Sequence, residues 1–149
     1  MLAEAVTATP DLTTRGAYPH WRTDVIRFAD LDPLGHVNNV AYLTYIESGR
    51  VMFFSDLGAA VASPEFAWMT VRLEISYLQQ LSLPGTVEVG TGVLDIGRSS
   101  VRLSHAIFSS DACAAQGECV MVLVDRLDNR ATPIPAEMRT ALTAMSCKK

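Results

Sequence analysis

The chain has 149 residues, with 12 Lys and Arg against 16 Asp and Glu, a formal net charge of −4, and 49% hydrophobic residues. A length in the range of roughly 100–200 residues predicts one domain with a sizeable core, and excludes a multidomain machine or a chain disordered over most of its length. The acidic balance offers no clustered positive surface for a phosphate backbone, and Arg, Glu or Asp interrupts each apolar stretch before the roughly 18 residues of a membrane span, so neither nucleic acid nor membrane is an expected partner.

The opening segment carries Glu4 and Asp11 and lacks a basic start followed by an apolar block, which fits neither a secretory signal nor a transit peptide. The expected layout is a flexible tail over 1–18 and a folded domain over 19–146. Cys113, Cys119 and Cys147 are odd in number and lack C-x-x-C spacing, which disfavours a disulfide framework or structural zinc and points to a reducing cytoplasm.

From 20 to 28, Trp21, Val25, Ile26 and Phe28 predict a strand. Asp30-Leu31-Asp32-Pro33-Leu34-Gly35-His36-Val37-Asn38-Asn39 then combines turn chemistry with helix-capping residues. A long helix follows over 39–57, with Tyr42, Tyr45, Ile46, Gly49, Met52 and Phe53 on one face and Gly58 as its stop. Val40, Leu43, Val51 and Phe54 form a second apolar line, so the helix is expected to be nearly enclosed. Mid-helix Gly49 costs about 1 kcal/mol relative to Ala, which predicts a backbone pressed against a sheet.

Met69, Val71, Leu73, Ile75 and Tyr77 alternate with polar residues as a strand with one wet face. Pro84-Gly85 turns into a strand through Val87, Val89 and Val93, whose apolar parity switches near Gly92 and predicts a bulge. After a tight turn at Gly97-Arg98, Val101, Leu103, His105 and Ile107 form another strand, with His105 most simply a hydrogen-bonded core residue. Cys119 to Val124, apolar on both faces, reads as a central strand. Pro133 and Pro135 end the sheet before a short helix over 137–145. One strand, a buried helix and four closely connected strands imply a mostly antiparallel sheet curved round one helix. A single helix covers only one sheet face, so a second copy is expected to cover the rest, giving a homo-oligomer.

The chain has no G-x-S-x-G, P-loop, dinucleotide-binding glycine motif or H-E-x-x-H, and His20, His36 and His105 have no ligand-like spacing, so neither a metal nor another cofactor is expected. The polar segment around Asp32 and His36 opens the long helix, whose free N–H groups can hold a developing oxyanion beside a carboxylate. The same residues also serve turn and capping chemistry, and spacing alone leaves both readings open. Glu47 has Arg50 at i+3, and structural pairing is favoured over catalysis for it. Ser99 and Ser100 offer donors to a ligand or to their own turn, and Trp68 and Met69 are candidates for contact with an apolar part of a substrate.

The run from Arg27 through Asp32-Pro33-Leu34-Gly35-His36-Val37-Asn38-Asn39, continued by Tyr42, Tyr45, Glu47 and Arg50, resembles the signature of 4-hydroxybenzoyl-CoA thioesterase-like proteins of the hot-dog fold. Ile75-Ser76-Tyr77-Leu78, Gly97-x-Ser99-Ser100, Val124-Asp125 and Pro133-Ile134-Pro135 resemble later landmarks of that family. The resemblance implies an α+β hot-dog fold, a five-stranded antiparallel sheet wrapped around one long central helix. It also implies a dimer or tetramer that cleaves acyl-CoA to a free acid and CoA in a site at the subunit interface. It places the catalytic carboxylate at Asp32, as nucleophile or general base, with Glu47 as the alternative. Helix-start amides around Val40, Ala41 and Tyr42 would polarise the carbonyl, His36, Asn39 and Tyr42 would shape the entrance, and Arg98, Ser99 and Ser100 are candidates for the carrier. Acyl-CoA hydratases of the same fold and a non-catalytic acyl-binding module are the competing readings.

Overall fold

The structure, a computed structural model, describes residues 9–149. Its elements are β1 (His20–Val25), α1 (Asn39–Leu57), β2 (Phe66–Tyr77), β3 (Thr86–Ile96), β4 (Ser100–Ser109), β5 (Ala112–Asp125) and α2 (Ala136–Thr143). The five strands form one antiparallel sheet in the order β1-β3-β4-β5-β2, the expected α+β arrangement. β5 lies between β4 and β2, as a strand apolar on both faces should. The parity switch in β3 is a bulge at the shift between Val93 and Asp95.

Asn38 caps α1 by accepting from the Ala41 N–H at 2.9 Å, and Gly58, at φ 56°, ends it. Tyr45, Ile46 and Phe53 are fully buried beneath the helix against Val87, Val89, Leu103 and Ile107. A Cβ on Gly49 would stand 2.6 Å from Cγ1 of Val89, which accounts for glycine there: the helix axis rides directly on β3. Between the two halves of this core runs a polar layer. Thr91 Oγ1 lies 3.1 Å from His105 Nδ1, and His105 Nε2 lies 3.3 Å from Cys119 Sγ. Burial, with the charge of Arg50 adding to it, pushes the His105 imidazole down to about 3, so it is neutral at physiological pH.

Three expectations change. The helix is not enclosed all round: Val40 is 69% and Val51 58% exposed, so the flank that carries them is open. The alternation of β2 is broken by a register shift between Thr70 and Arg72. The extra residue, Val71, reverses the parity, so Phe66 and Trp68 pack inward on one side of it and Leu73 and Ile75 on the other. Met69 and Val71 are left 52% and 61% exposed.

The third change concerns the tail over 1–18. Residues 1–8 lie outside the described residues, but Leu12, Ala17 and Tyr18 pack on the convex face of the sheet with Trp21, Ala106, Phe108, Cys113 and Cys147. Tyr18 donates to the Leu12 carbonyl at 2.7 Å and lies 3.0 Å from the Ser104 hydroxyl, and Arg15 is paired with Glu88. A Cβ on Gly90 would strike the Tyr18 ring, and one on Gly92 would strike Cys147 Sγ and Pro19. The chain thus covers the convex face over β3 and β4 with its own terminal segments, a job the sequence reading assigned to a second copy.

Candidate functional site

Asp32 sits in a loop whose ends are tied to each other and to the connection between β2 and β3. Its N–H donates to the His36 carbonyl at 2.8 Å, Val37 donates to the Leu81 carbonyl at 2.8 Å, and Asn38 donates to Asp30 through both its backbone and its side chain. Tyr45, from inside α1, donates to Asp30 Oδ2 at 2.6 Å and so fastens the loop to the helix. Burial and the Asp30 carboxylate both push the Tyr45 hydroxyl up, which keeps it a donor. Gly35, at φ 79°, makes the reversal that a side chain would strain.

This loop holds the Asp32 carboxylate by one oxygen only. Oδ1 accepts the N–H of Leu34 at 2.8 Å and of His36 at 3.1 Å, whereas Oδ2 accepts no hydrogen bond among the described residues. Asp32 lines a cavity of about 250 Å³ together with Leu34, His36, Val37, Asn39, Tyr42, Tyr77, Leu78, Gln79 and Gln80. Tyr42 crosses the cavity wall to donate to the Gln79 carbonyl at 3.0 Å and meets Tyr77 edge to face, ring centres 5.2 Å apart. Tyr77 in turn donates to the Asn39 carbonyl at 3.3 Å.

Asp32, His36, Asn39 and Tyr42 therefore come together as the sequence predicted. The helix-start donors need correction. The Ala41 N–H is taken by the Asn38 cap, whereas the amides of Asn39 and Val40 have no protein acceptor among the described residues. Glu47 is 68% exposed, stands 3.9 Å from Arg50, and does not line the cavity, in keeping with the pairing role. Trp68 and Met69 do not share a slot. Trp68 turns inward to stack on Phe54 and donate to the Val61 carbonyl, beside a separate cavity of about 370 Å³ near the far end of α1, while Met69 points outward. Arg98, Ser99 and Ser100 form the turn between β3 and β4, where their carbonyls accept from Ile134, Leu123 and Gly97. They too lie outside the Asp32 cavity within one protomer.

The wall formed by Leu78, Gln79 and Gln80 was missed by sequence reasoning, although Tyr77-Leu78 is one of the family landmarks; the polar pair Gln79-Gln80 directly after a strand was the available signal. Among the described residues no group of three His, Cys, Asp or Glu side chains is placed to hold a metal, and no helix is long and apolar enough to cross a membrane.

Comparison with known proteins agrees with this layout. The PA5185 protein of Pseudomonas aeruginosa strain PAO1 is similar in structure at a TM-score of 0.82 and 29% identity, over 91% of this chain and 97% of that one. A thioesterase from Thermus thermophilus, solved in complex with coenzyme A and Zn, is similar at a TM-score of 0.75 and 32% identity, over 87% of this chain and 95% of that one. The uncharacterized protein YsmA of Bacillus subtilis (strain 168) is 23% identical over 134 residues, 84% of this chain and 90% of its own length. Residues 26–142 match the thioesterase-like superfamily, a span that runs from the end of β1 through α2 and takes in the whole Asp32 cavity. With its five-stranded sheet around one long helix, the chain belongs to the thioesterase-like superfamily and has the hot-dog fold.

Proposed function

We propose that the protein is an acyl-CoA thioesterase that releases a free carboxylic acid and CoA, with Asp32 as the catalytic carboxylate. The observation that carries the reading is the half-tethered state of Asp32: at the cavity wall Oδ1 is fixed by two amides, while Oδ2 has no hydrogen-bond partner among the described residues. A thiolate leaves readily, so the reaction needs an activated nucleophile and a seat for the tetrahedral oxyanion rather than a strong acid. Asp32 Oδ2 supplies the first, either by attacking the acyl carbon or by taking a proton from water that does. The free N–H groups of Asn39 and Val40, at the positive end of α1, supply the second. The C–S bond then breaks and the sulfur leaves as CoA thiolate; after direct attack the acyl group remains on Asp32 as a mixed anhydride, which water hydrolyses to the free acid and the restored carboxylate. The coenzyme A complex of the Thermus relative supports the choice of carrier.

A cavity of about 250 Å³ falls below the roughly 300–1,000 Å³ usual for small-molecule pockets, so one protomer does not enclose an acyl-CoA. The open flank of α1 with Val40 and Val51, the outward Met69 and Val71, and the free edge of β2 are the surfaces a second copy would cover. On this reading the protein is a homodimer whose acyl site lies at the subunit interface, where Trp68, Arg98, Ser99 or Ser100 of one protomer would reach the cavity of the other. Its three free cysteines suit a reducing cytoplasm. Thiol release measured on a panel of saturated acyl-CoAs, with crotonyl-CoA beside them, tests the reaction class. Free CoA from the saturated substrates is expected, and hydration of crotonyl-CoA without CoA release would replace this reading with a hydratase.

A further inference from the structure

The space beside Asp32 does not end at Gln79 and Gln80. The same two residues line a second hollow, of about 590 Å³, completed by Leu81 and by residues 109–112 of the hairpin between β4 and β5. The glutamine pair is thus a shared wall along which the two hollows meet. Its backbone is held: the N–H groups of Leu78 and Gln79 donate to the Ala114 carbonyl at 2.8 and 3.0 Å, and the Gln79 carbonyl accepts from Tyr42. What Gln79 and Gln80 offer to the hollow is therefore their side-chain carboxamides, and both residues are exposed. The other walls of the Asp32 cavity are its own loop and the rings of Tyr42 and Tyr77, tied to the Gln79 and Asn39 carbonyls.

We propose that this second hollow is the subsite for the pantetheine arm of the thioester, an inference that rests on the thioesterase reading above. With the acyl carbon at Asp32, a cavity of about 250 Å³ is too small for the arm as well, so the arm has to leave it. Pantetheine is a neutral chain with two amides and a hydroxyl, and groups that recognise it are uncharged and can both donate and accept. Carboxamides and hydroxyls have that property. Gln79, Gln80, Ser109 and Ser110 line the hollow, and Asp111 is the one ionisable residue in its lining. An apolar acyl chain laid here would strip water from these groups and return no hydrogen bond. Contacts to the arm hold the thioester in register at Asp32, so the binding energy they supply is felt in turnover as well as in affinity.

Thioesters of one acyl group on N-acetylcysteamine, pantetheine and CoA test the subsite. The first carries only the start of the arm, the second the whole arm, and the third the arm with its nucleotide. Wild-type kcat/KM is expected to rise about tenfold from the first ester to the second. Gln80→Leu keeps the bulk and removes the carboxamide, and Ala112→Trp fills the hollow. Each is expected to cut that ratio about fivefold, and by the same factor for the pantetheine and CoA esters. Both positions are exposed, and circular dichroism separates loss of the subsite from loss of fold. Equal kcat/KM for the N-acetylcysteamine and pantetheine esters, or folded variants that keep the wild-type ratio, would overturn the subsite and leave the thioesterase reading standing. A loss confined to the CoA ester would overturn it too, because the effect would then belong to the nucleotide. A wild type that hydrolyses none of the three esters would remove the thioesterase reading and this inference with it.

Discussion

The two ends of α1 are built on opposite principles. At its start, position is set by hydrogen bonds: Asn38 caps the helix, Tyr45 holds Asp30, and Asp32 is anchored through one oxygen, with a cavity left beside it. From Gly49 to Phe53, position is set by contact, with the helix backbone against Val89 and a fully buried ring below. Packing of that kind resists small changes of volume, whereas a polar loop can keep its shape while one of its charged groups stays unsatisfied. Rigidity at one end therefore lets the other hold a carboxylate with one oxygen left without a partner among the described residues.

The sharpest way to break this division is at the polar end. Asp32→Asn keeps the acceptor that Leu34 and His36 use but removes the negative charge, so thioester hydrolysis is expected to fall by about 10²–10⁴-fold with the melting temperature nearly unchanged. A normal rate would remove Asp32 from the chemistry. At the packed end the outcome reverses: Gly49→Ala gains helix propensity but drives a methyl into Val89, and is expected to destabilise by about 1–3 kcal/mol in urea unfolding while the folded fraction keeps its turnover.

His105 sharpens the contrast through pH. Its folded value of about 3 lies below the roughly 6.5 of an unfolded imidazole, so between these values the unfolded chain binds a proton that the native state refuses. The stability due to neutral His105 is complete above pH 6.5 and is lost as pH falls toward 3, by about 2 kcal/mol at pH 5. Urea titrations at pH 7 and pH 5 should show His105→Gln losing that much less than the wild type on acidification. The smallest effect is expected from the cap: Asn38→Ala should cost about 1 kcal/mol, and by fraying the first turn should lower kcat more than it raises KM.

Local chemistry made α1 legible, because Asn38, Gly58 and the apolar spacing between them each carry a physical cue within a few residues. The bulge at Val71 was hidden because an apolar residue in step with Leu73 and Ile75 reads as core whether or not the register slips. The packing of residues 12–18 left no periodic trace; its only mark was the pair Gly90 and Gly92, small because other backbone crosses them. The site divides likewise. Asp32, His36, Asn39 and Tyr42 were readable as one loop and helix start, while Gln79 and Gln80 arrive at the end of a strand nearly forty residues away, brought there by tertiary pairing alone.

Lys148 donates its backbone N–H to the carbonyl of Ala17, and Cys147 fills the hollow above Gly92 beside Pro19. Early and late parts of the polypeptide thus share one resting place, joined across a loop of more than a hundred residues whose closure entropy grows only slowly with length. During synthesis that seam waits for the late segment to emerge, and loosening either strand of it exposes the other, so damage at one extremity is felt at both.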